Sequence, residues 1–244
     1  MTLVEIALDD IAGVRRAALG GAGRLELCQG LADNGGTTPT AGFVAEAVAQ
    51  LAEAGSVIPL MVLIRPRGGD FVYDAEERRV MRRDIESLRG LDVGFVVGAL
   101  TPDGGIDAAA VEELVEAAAG ATVTFHRAID STRDLAGSLE TLIGLGVRRV
   151  LTSGGRATAL DGVAELRELV ARAAGRIGIV AGGSVRAANV RRIVAESGVG
   201  EVHLRAAVPA PSRARWRNPE QGYDAAPVSA TDAATVRAVV EALR

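Results

Sequence analysis

The sequence contains no lysine: all 27 of its Lys+Arg residues are arginine. That excludes a lysine Schiff base, a lysine-linked pyridoxal phosphate and a Walker-type phosphate-binding lysine. Cysteine is almost absent as well; Cys28 stands alone, so no intramolecular disulfide can form. There is no Cys pair and no H-x-x-x-H, and only 3 Met, so soft ligands for Cu(I) are scarce. Aromatic residues make up 3% of the chain, which leaves the core to Ala, Val, Leu and Ile. No apolar run approaches the roughly 20 residues that span a bilayer, and no leader pattern of basic, apolar and small residues opens the chain. A net charge of −4 and a pI near 5.4 speak against a general nucleic-acid partner. These absences predict a cytoplasmic protein without a membrane or nucleic-acid partner.

What remains is 244 residues, 48% of them hydrophobic, with 30 glycines that fall mostly between periodic segments. Short β-rich runs are predicted at Leu3–Leu8, Arg24–Cys28, Leu60–Ile64, Gly94–Ala99, Thr122–His126, Arg149–Thr152, Gly178–Ala181 and Glu201–Leu204. Helical periodicity lies between and after them: Ile11–Ala18, Gly42–Ala54, Ala75–Gly90, Ala108–Ala119, Leu135–Leu145, Leu160–Ala174, Arg186–Ser197 and Thr231–Leu243. Strand followed by helix, repeated eight times, predicts a (β/α)8 TIM barrel occupying residues 1–244 as one domain. A doubly wound open sheet is the alternative. It is disfavoured by the count and by the lack of G-x-G-x-x-G after the first strand, which also removes the usual nucleotide cofactor site. Asp9 or Asp10, Asp74, Asp107 and Asp134 stand where helices should start, and Gly146 and Gly198 where two should end. The least regular stretch, 206–230, carries Pro209, Pro211, Pro219 and Pro227 together with Arg213, Arg215, Trp216 and Arg217. It follows the eighth strand and is expected as a long loop over the barrel mouth.

Alternation along the strands sorts their side chains into two faces. Val4, Ile6 and Leu8 share one face in the first strand and Glu5 and Ala7 the other. In the same way Glu26 and Cys28, Met61, Leu63 and Arg65, Thr124 and His126, and Glu201, His203 and Arg205 oppose apolar neighbours. Helices cover the outside of such a barrel, so the polar face must point inward. Buried charge without compensation is costly. The expected partners of Glu5, Glu26 and Glu201 are Arg65, Arg67, Arg127, Arg205 or a protonated histidine. A closed network of ion pairs tying the strands together is one outcome; a functional site at the strand C-termini is the other.

The candidate catalytic residues are His126, Glu26, Arg65 and Asp130. His126 is placed for proton transfer near neutral pH, at a strand end beside Arg127 and upstream of Asp130. Arg65 and Arg67, separated by Pro66 and followed by Gly68 and Gly69, suit recognition of a small carboxylate or phosphate. Glu5, Arg127 and His203 join them as ligand-binding candidates. So do the glycine turns Thr152–Gly155, with Ser153 and Gly154, and Ala181–Ser184, with Gly182 and Gly183, because backbone N–H groups at such turns can hold an anion. Cys28 is the one candidate metal ligand.

The same segments carry a family resemblance. Arg24–Gly42 (RLELCQGLADNGGTTPTAG), Ile64–Tyr73 (IRPRGGDFVY), Thr124–Asp130 (TFHRAID), Arg149–Gly155 (RVLTSGG) and Glu201–His203 (EVH) resemble the signature segments of the CutC copper-homeostasis family. The resemblance implies a TIM barrel, a cytoplasmic location, a role in copper homeostasis with copper as a ligand, and a homo-oligomer. Some relatives of this kind are credited with Cu(I) binding through cysteines near the ends of the first two strands. Cys28 matches the second position, and Ala7 stands at the first, so the thiolate pair is incomplete here. The chemical alternative is a TIM-barrel enzyme, isomerase- or lyase-like, acting on a small anionic or phosphorylated metabolite.

Overall fold

A computed structural model describes residues 2–216, 218, 220 and 228–244. Eight parallel strands close into a barrel in the order β1 to β8: Leu3–Leu8, Arg24–Leu27, Leu60–Leu63, Val93–Val97, Val123–Phe125, Arg149–Thr152, Gly178–Gly182 and Glu201–Arg205. The helices are α1 (Ile11–Gly20), α2 (Leu31–Asn34), α3 (Ala41–Glu53), α4 (Ala75–Leu88), α5 (Ala108–Ala117), α6 (Leu135–Gly144), α7 (Val163–Ala173), α8 (Ala187–Ser197) and α9 (Ala233–Ala242). The expected (β/α)8 alternation is therefore present. The short α2 and a 3-10 turn at Arg127–Ser131 are additions that the periodicity did not signal, being too short to show one.

Local chemistry explains the helix ends. Asp74 accepts from the N–H of Glu76 and Glu77, while Glu77 accepts from Asp74 N–H, a capping box that starts α4. Asp107, Asp134 and Asp232 cap α5, α6 and α9 in the simpler way. The acidic pair before α1 does something else. Asp10 makes no cap bond; its carboxylate accepts from the N–H and hydroxyl of Thr231 and ties the last crossover to the first. Asp9 accepts from Leu31 N–H and from Arg205, across the barrel rim.

The outer layer is the apolar core. Val4, Ile6, Leu8, Leu25, Leu27, Val62 and Phe125 pack against helix residues such as Val14, Ala47, Met81 and Leu114. Each such side chain contributes on the order of 1.5–3 kcal/mol by leaving water. A second apolar group of Cys28, Met61, Leu63 and Val96 lies inside the barrel. Register confirms the two faces: Glu5 is level with both Arg24 and His203, Ala7 with Glu26 and Arg205, and Glu26 with Met61.

The stretch after β8 is framed by an antiparallel pair, β9 (Ala207–Ala210) and β10 (Val228–Thr231). Arg213, Arg215 and Trp216 are exposed between them. Arg217, Pro219 and Pro227 lie outside the described residues.

Candidate functional site

The barrel interior holds two polar layers. In the lower one, Arg24 donates through Nε to Glu5 and through Nη2 to Glu201 at 2.5 Å. Arg149 stands 4.0 Å from Glu201 and also reaches the Met61 sulfur at 3.7 Å. Arg24 and Glu5 are fully enclosed, at 3% and 2% exposure. The arginine partners differ from the expected ones, whereas a histidine, His203, does face Glu5. Glu5 and Glu201 are neutralised by Arg24 and Arg149, not by Arg65, Arg67, Arg127 or Arg205. The reason is height along the barrel: Arg24 begins its strand level with Glu5, whereas Arg65 follows the end of β3.

His203 links the two layers. Its Nδ1 lies 2.7 Å from Glu5 Oε1 and 3.4 Å from Glu26 Oε2. Burial works against the charged imidazole, but the Glu5 hydrogen bond and the charges of Glu26 and Glu5 outweigh it and raise the pKa. Burial also works against Glu5 as an anion, yet His203 and Arg24 hold its carboxyl at about 2. Glu26 goes the other way: burial, reinforced by the Glu5 charge, pushes it up to about 7. Glu5, Glu26 and Glu201 face Arg24, Arg149 and His203. One proton resting on either His203 or Glu26 therefore balances the interior.

Above this layer a cavity of about 130 Å³ opens at the strand C-termini. Glu26, Cys28, Arg65, His126, Arg127 and His203 all line it, with Ala7, Leu63, Phe71 and Leu151 as apolar walls. Six sequence-predicted residues from four strand ends thus meet around one space. A larger hollow of about 670 Å³ opens among residues such as Pro59, Asp92, Thr122 and Arg149, at the opposite, N-terminal end of the strands. It lacks histidine, glutamate and cysteine, so the chemistry belongs to the smaller space.

Arg65 is 6% exposed. Its Nη1 donates to the carbonyls of Asn34 and Gly36 and its Nη2 to that of Gly69, clamping two rim loops. Nε has no partner among the described residues, and no carboxylate there forms an ion pair with Arg65. Phe71 lies under the guanidinium at 5.0 Å and beside His126 at 4.9 Å. His126 accepts the Ala128 N–H on Nδ1, so the proton of the neutral ring belongs on Nε2, which is buried without a partner. Burial, with the Arg65 charge second, pushes the His126 pKa down to about 3, and the imidazole stays neutral. Gly98 makes this placement possible: a Cβ there would stand 2.2 Å from His126 Cε1.

The other candidates are placed elsewhere. Asp130 is enclosed by the β6 turn: it accepts from the Thr152 hydroxyl, the N–H groups of Ser153 and Gly155, and Arg127 Nε. The turn with Ser153 and Gly154 does bind an anion, and the anion is the chain's own Asp130. That corrects both the catalytic expectation for Asp130 and the ligand expectation for this turn. Arg67 is also corrected. It leaves the barrel after Pro66, donates to Glu77 at 2.5 Å and to Asp70, and stacks over Tyr73 at 5.2 Å. Gly182 and Gly183 sit at the rim, where Gly183 abuts the Arg127 guanidinium. Glu5 lies one layer below the cavity, behind His203. The residues missed were Arg24, Arg149 and Gly98; Arg24 shares inward parity with Glu26, so the alternation rule already contained it.

As a copper centre the residues fit poorly. The Cys28 thiol lies 3.9 Å from the Glu26 carbonyl, and burial, then the Glu26 charge, pushes its pKa well up. Ala7 is its neighbour on the cavity wall, and the Met61 sulfur is turned to Arg149. One sulfur does not make a Cu(I) thiolate pair. Donor atoms of Glu5, Glu26 and His203 lie within 4.8 Å of one another. That oxygen-rich set suits harder ions, and Glu5 is already committed to Arg24.

Fold and mouth together define a (β/α)8 barrel with a small polar site at its C-terminal face. The chain belongs to the CutC family, whose model matches residues 2–208. The family protein CutC of Xanthomonas campestris pv. campestris (strain 8004) is 46% identical over 242 residues, covering 99% of this chain and 98% of the relative. A mouse relative named copper homeostasis protein cutC homolog is 44% identical over 218 residues, 88% of this chain and 78% of its own length. The solved CutC structure from Streptococcus agalactiae superposes with a TM-score of 0.78 at 37% identity, covering 83% of this chain and 98% of that one. No helix among the described residues is long and apolar enough to cross a membrane.

Proposed function

We propose that this protein serves copper homeostasis, the role named for its mouse relative, as a cytoplasmic barrel whose mouth takes a small anionic molecule. The observation that carries the molecular part is Arg65. Its charge is permanent and buried, yet among the described residues it meets carbonyl oxygens and no carboxylate. A buried charge without a counter-ion is costly, and an entering anion removes that cost. A guanidinium has five N–H donors; three are used by carbonyls, leaving Nε and one on Nη2. That side-on pair suits a carboxylate. His126 Nε2–H offers a further donor. The volume of about 130 Å³ admits only a molecule of a few carbons.

Calorimetric titration with pyruvate, oxalate and inorganic phosphate tests this reading. A hydrogen bond to a charged group is worth about 1.5–3 kcal/mol, so His126→Phe should weaken binding about tenfold or more. If none of the three anions binds the wild-type protein, the reading fails.

A second reading, direct copper binding, is favoured by one observation: the Cys28 thiol faces the same cavity as Glu26 and His203. A Cu(I) competition titration separates the two. Affinity abolished by Cys28→Ser would support direct binding; affinity unchanged by that substitution would remove it.

A further inference from the structure

We propose that the mouth is catalytic, with Glu26 removing the α-proton of a small 2-oxo carboxylate held by Arg65 and His126. This rests on the anion-site reading above and assigns that site a reaction class.

Glu26 differs from the other interior carboxylates in what surrounds it. Glu5 and Glu201 are both gripped by Arg24. Glu26 is 4% exposed and lines the cavity, and its ion-pair partner among the described residues is His203 at 3.4 Å. A buried carboxylate facing an enclosed space, with no arginine on it, is free to take a proton from whatever enters. Behind it stands His203, fixed through Nδ1 by Glu5, so His203 and Glu5 are positioning residues.

Other residues lining the same cavity supply what an enolate needs. His126 is held as a neutral Nε2–H donor by the Ala128 N–H on its other nitrogen. Arg65, with N–H groups to spare, packs over the same Phe71 ring that stands beside His126. The ligand carboxylate lies on Arg65, and its 2-oxo oxygen faces His126. The walls beside them, Leu63 and Leu151, suit the methyl or methylene that carries the acidic C–H. Neither phosphate nor a large sugar matches this pairing of one charged end with a short apolar remainder.

The step balances without an oxidant. The C–H bond breaks and its electron pair becomes the new C=C bond. The carbonyl π pair moves onto oxygen, where His126 Nε2–H stabilises it. The proton goes to a Glu26 oxygen and returns on reversal. The charge balances as well: the substrate changes from one negative charge to two while Glu26 loses its own.

The test is hydrogen exchange. Full-length protein is incubated in D2O with pyruvate or 2-oxobutanoate, and loss of the C3 proton signal is followed by NMR against a protein-free blank. The wild type should exchange the C3 protons. Glu26→Gln should slow exchange about 100-fold, as loss of a general base does, while calorimetry shows that the oxo acid still binds; Glu26→Asp should restore part of the rate. Oxalate, a planar enolate mimic, should suppress wild-type exchange, a check that does not depend on any variant folding. Binding without exchange in the wild type would overturn this proposal and leave the anion-site reading intact. Exchange equal in Glu26→Gln and wild type, or insensitive to oxalate, would also overturn it. Failure of any oxo acid, oxalate or phosphate to bind would sink both.

Discussion

The lower and upper layers of the barrel interior are built from the same residue types and reach opposite outcomes. Below, Arg24 lies between Glu5 and Glu201, and Arg149 stands behind Glu201. Every carboxylate there has a guanidinium. Above, Arg65 has only carbonyls, Glu26 has a histidine at 3.4 Å, and His126 has an N–H with no acceptor. Closed pairs make a rigid floor; open donors and an open carboxylate make a site. The difference shows that charge inside a barrel is not itself a functional signal. Unmet hydrogen-bonding capacity beside a cavity is the better one.

The comparison is broken most severely at the floor. Glu5→Gln removes one of the two carboxylates on Arg24 and the nearer of the two beside His203, and should cost about 3–5 kcal/mol, as breaking a buried ion pair does. Denaturant unfolding at neutral pH measures it. A loss under 1 kcal/mol would mean that the floor is not held by these pairs.

The upper layer should show itself through pH. The folded pKa of His126 is about 3, below its ordinary value of 6.5. The unfolded chain therefore binds a proton that the folded chain refuses between those values. The stabilisation is fully present above pH 6.5 and is lost as pH falls toward 3, at up to about 1.4 kcal/mol per pH unit. The Glu5 carboxyl adds a second loss in the same direction, from 4.5 down to about 2. Between pH 6 and pH 5 Glu5 does not yet contribute and Glu26, raised from 4.5 to about 7, works the other way, so His126→Phe should tilt the melting-temperature profile there toward greater stability at the lower pH. An unchanged slope there would show that the imidazole is not buried as a neutral ring.

The smallest effect is expected outside both layers. Arg67 is half-exposed and pairs with Glu77 and Asp70 on the surface. Arg67→Ala should cost less than about 1 kcal/mol and leave anion binding unaltered. Loss of binding in that variant would return Arg67 to the site.

Much of this was legible in the sequence. The alternation of Glu5 with Ile6, of Glu26 with Leu27 and of His203 with Leu204 identified the inward face, because a period of two is local and the helices leave only one apolar side. Pairing was not legible. Which arginine meets Glu5 depends on the stagger between strands, and stagger is a property of the closed barrel, not of any one segment. Arg67 was misplaced because alternation ends with the strand at Leu63, and Pro66 turns the chain toward α4. The Thr152–Gly155 turn was read as a cradle for an external anion, whereas the carboxylate it holds is that of Asp130, 22 residues upstream of Thr152, in another crossover.

The central claim is that Arg65 and His126 await an anion, and a crystal structure with bound pyruvate or oxalate tests it most directly. The account predicts a carboxylate on Arg65 Nε and Nη2, with a second oxygen on His126 Nε2, inside the cavity bounded by Glu26 and Leu151. An anion seated only on the Gly182–Ser184 turn, or an empty mouth in which Arg65 has swung onto Glu26, would contradict it.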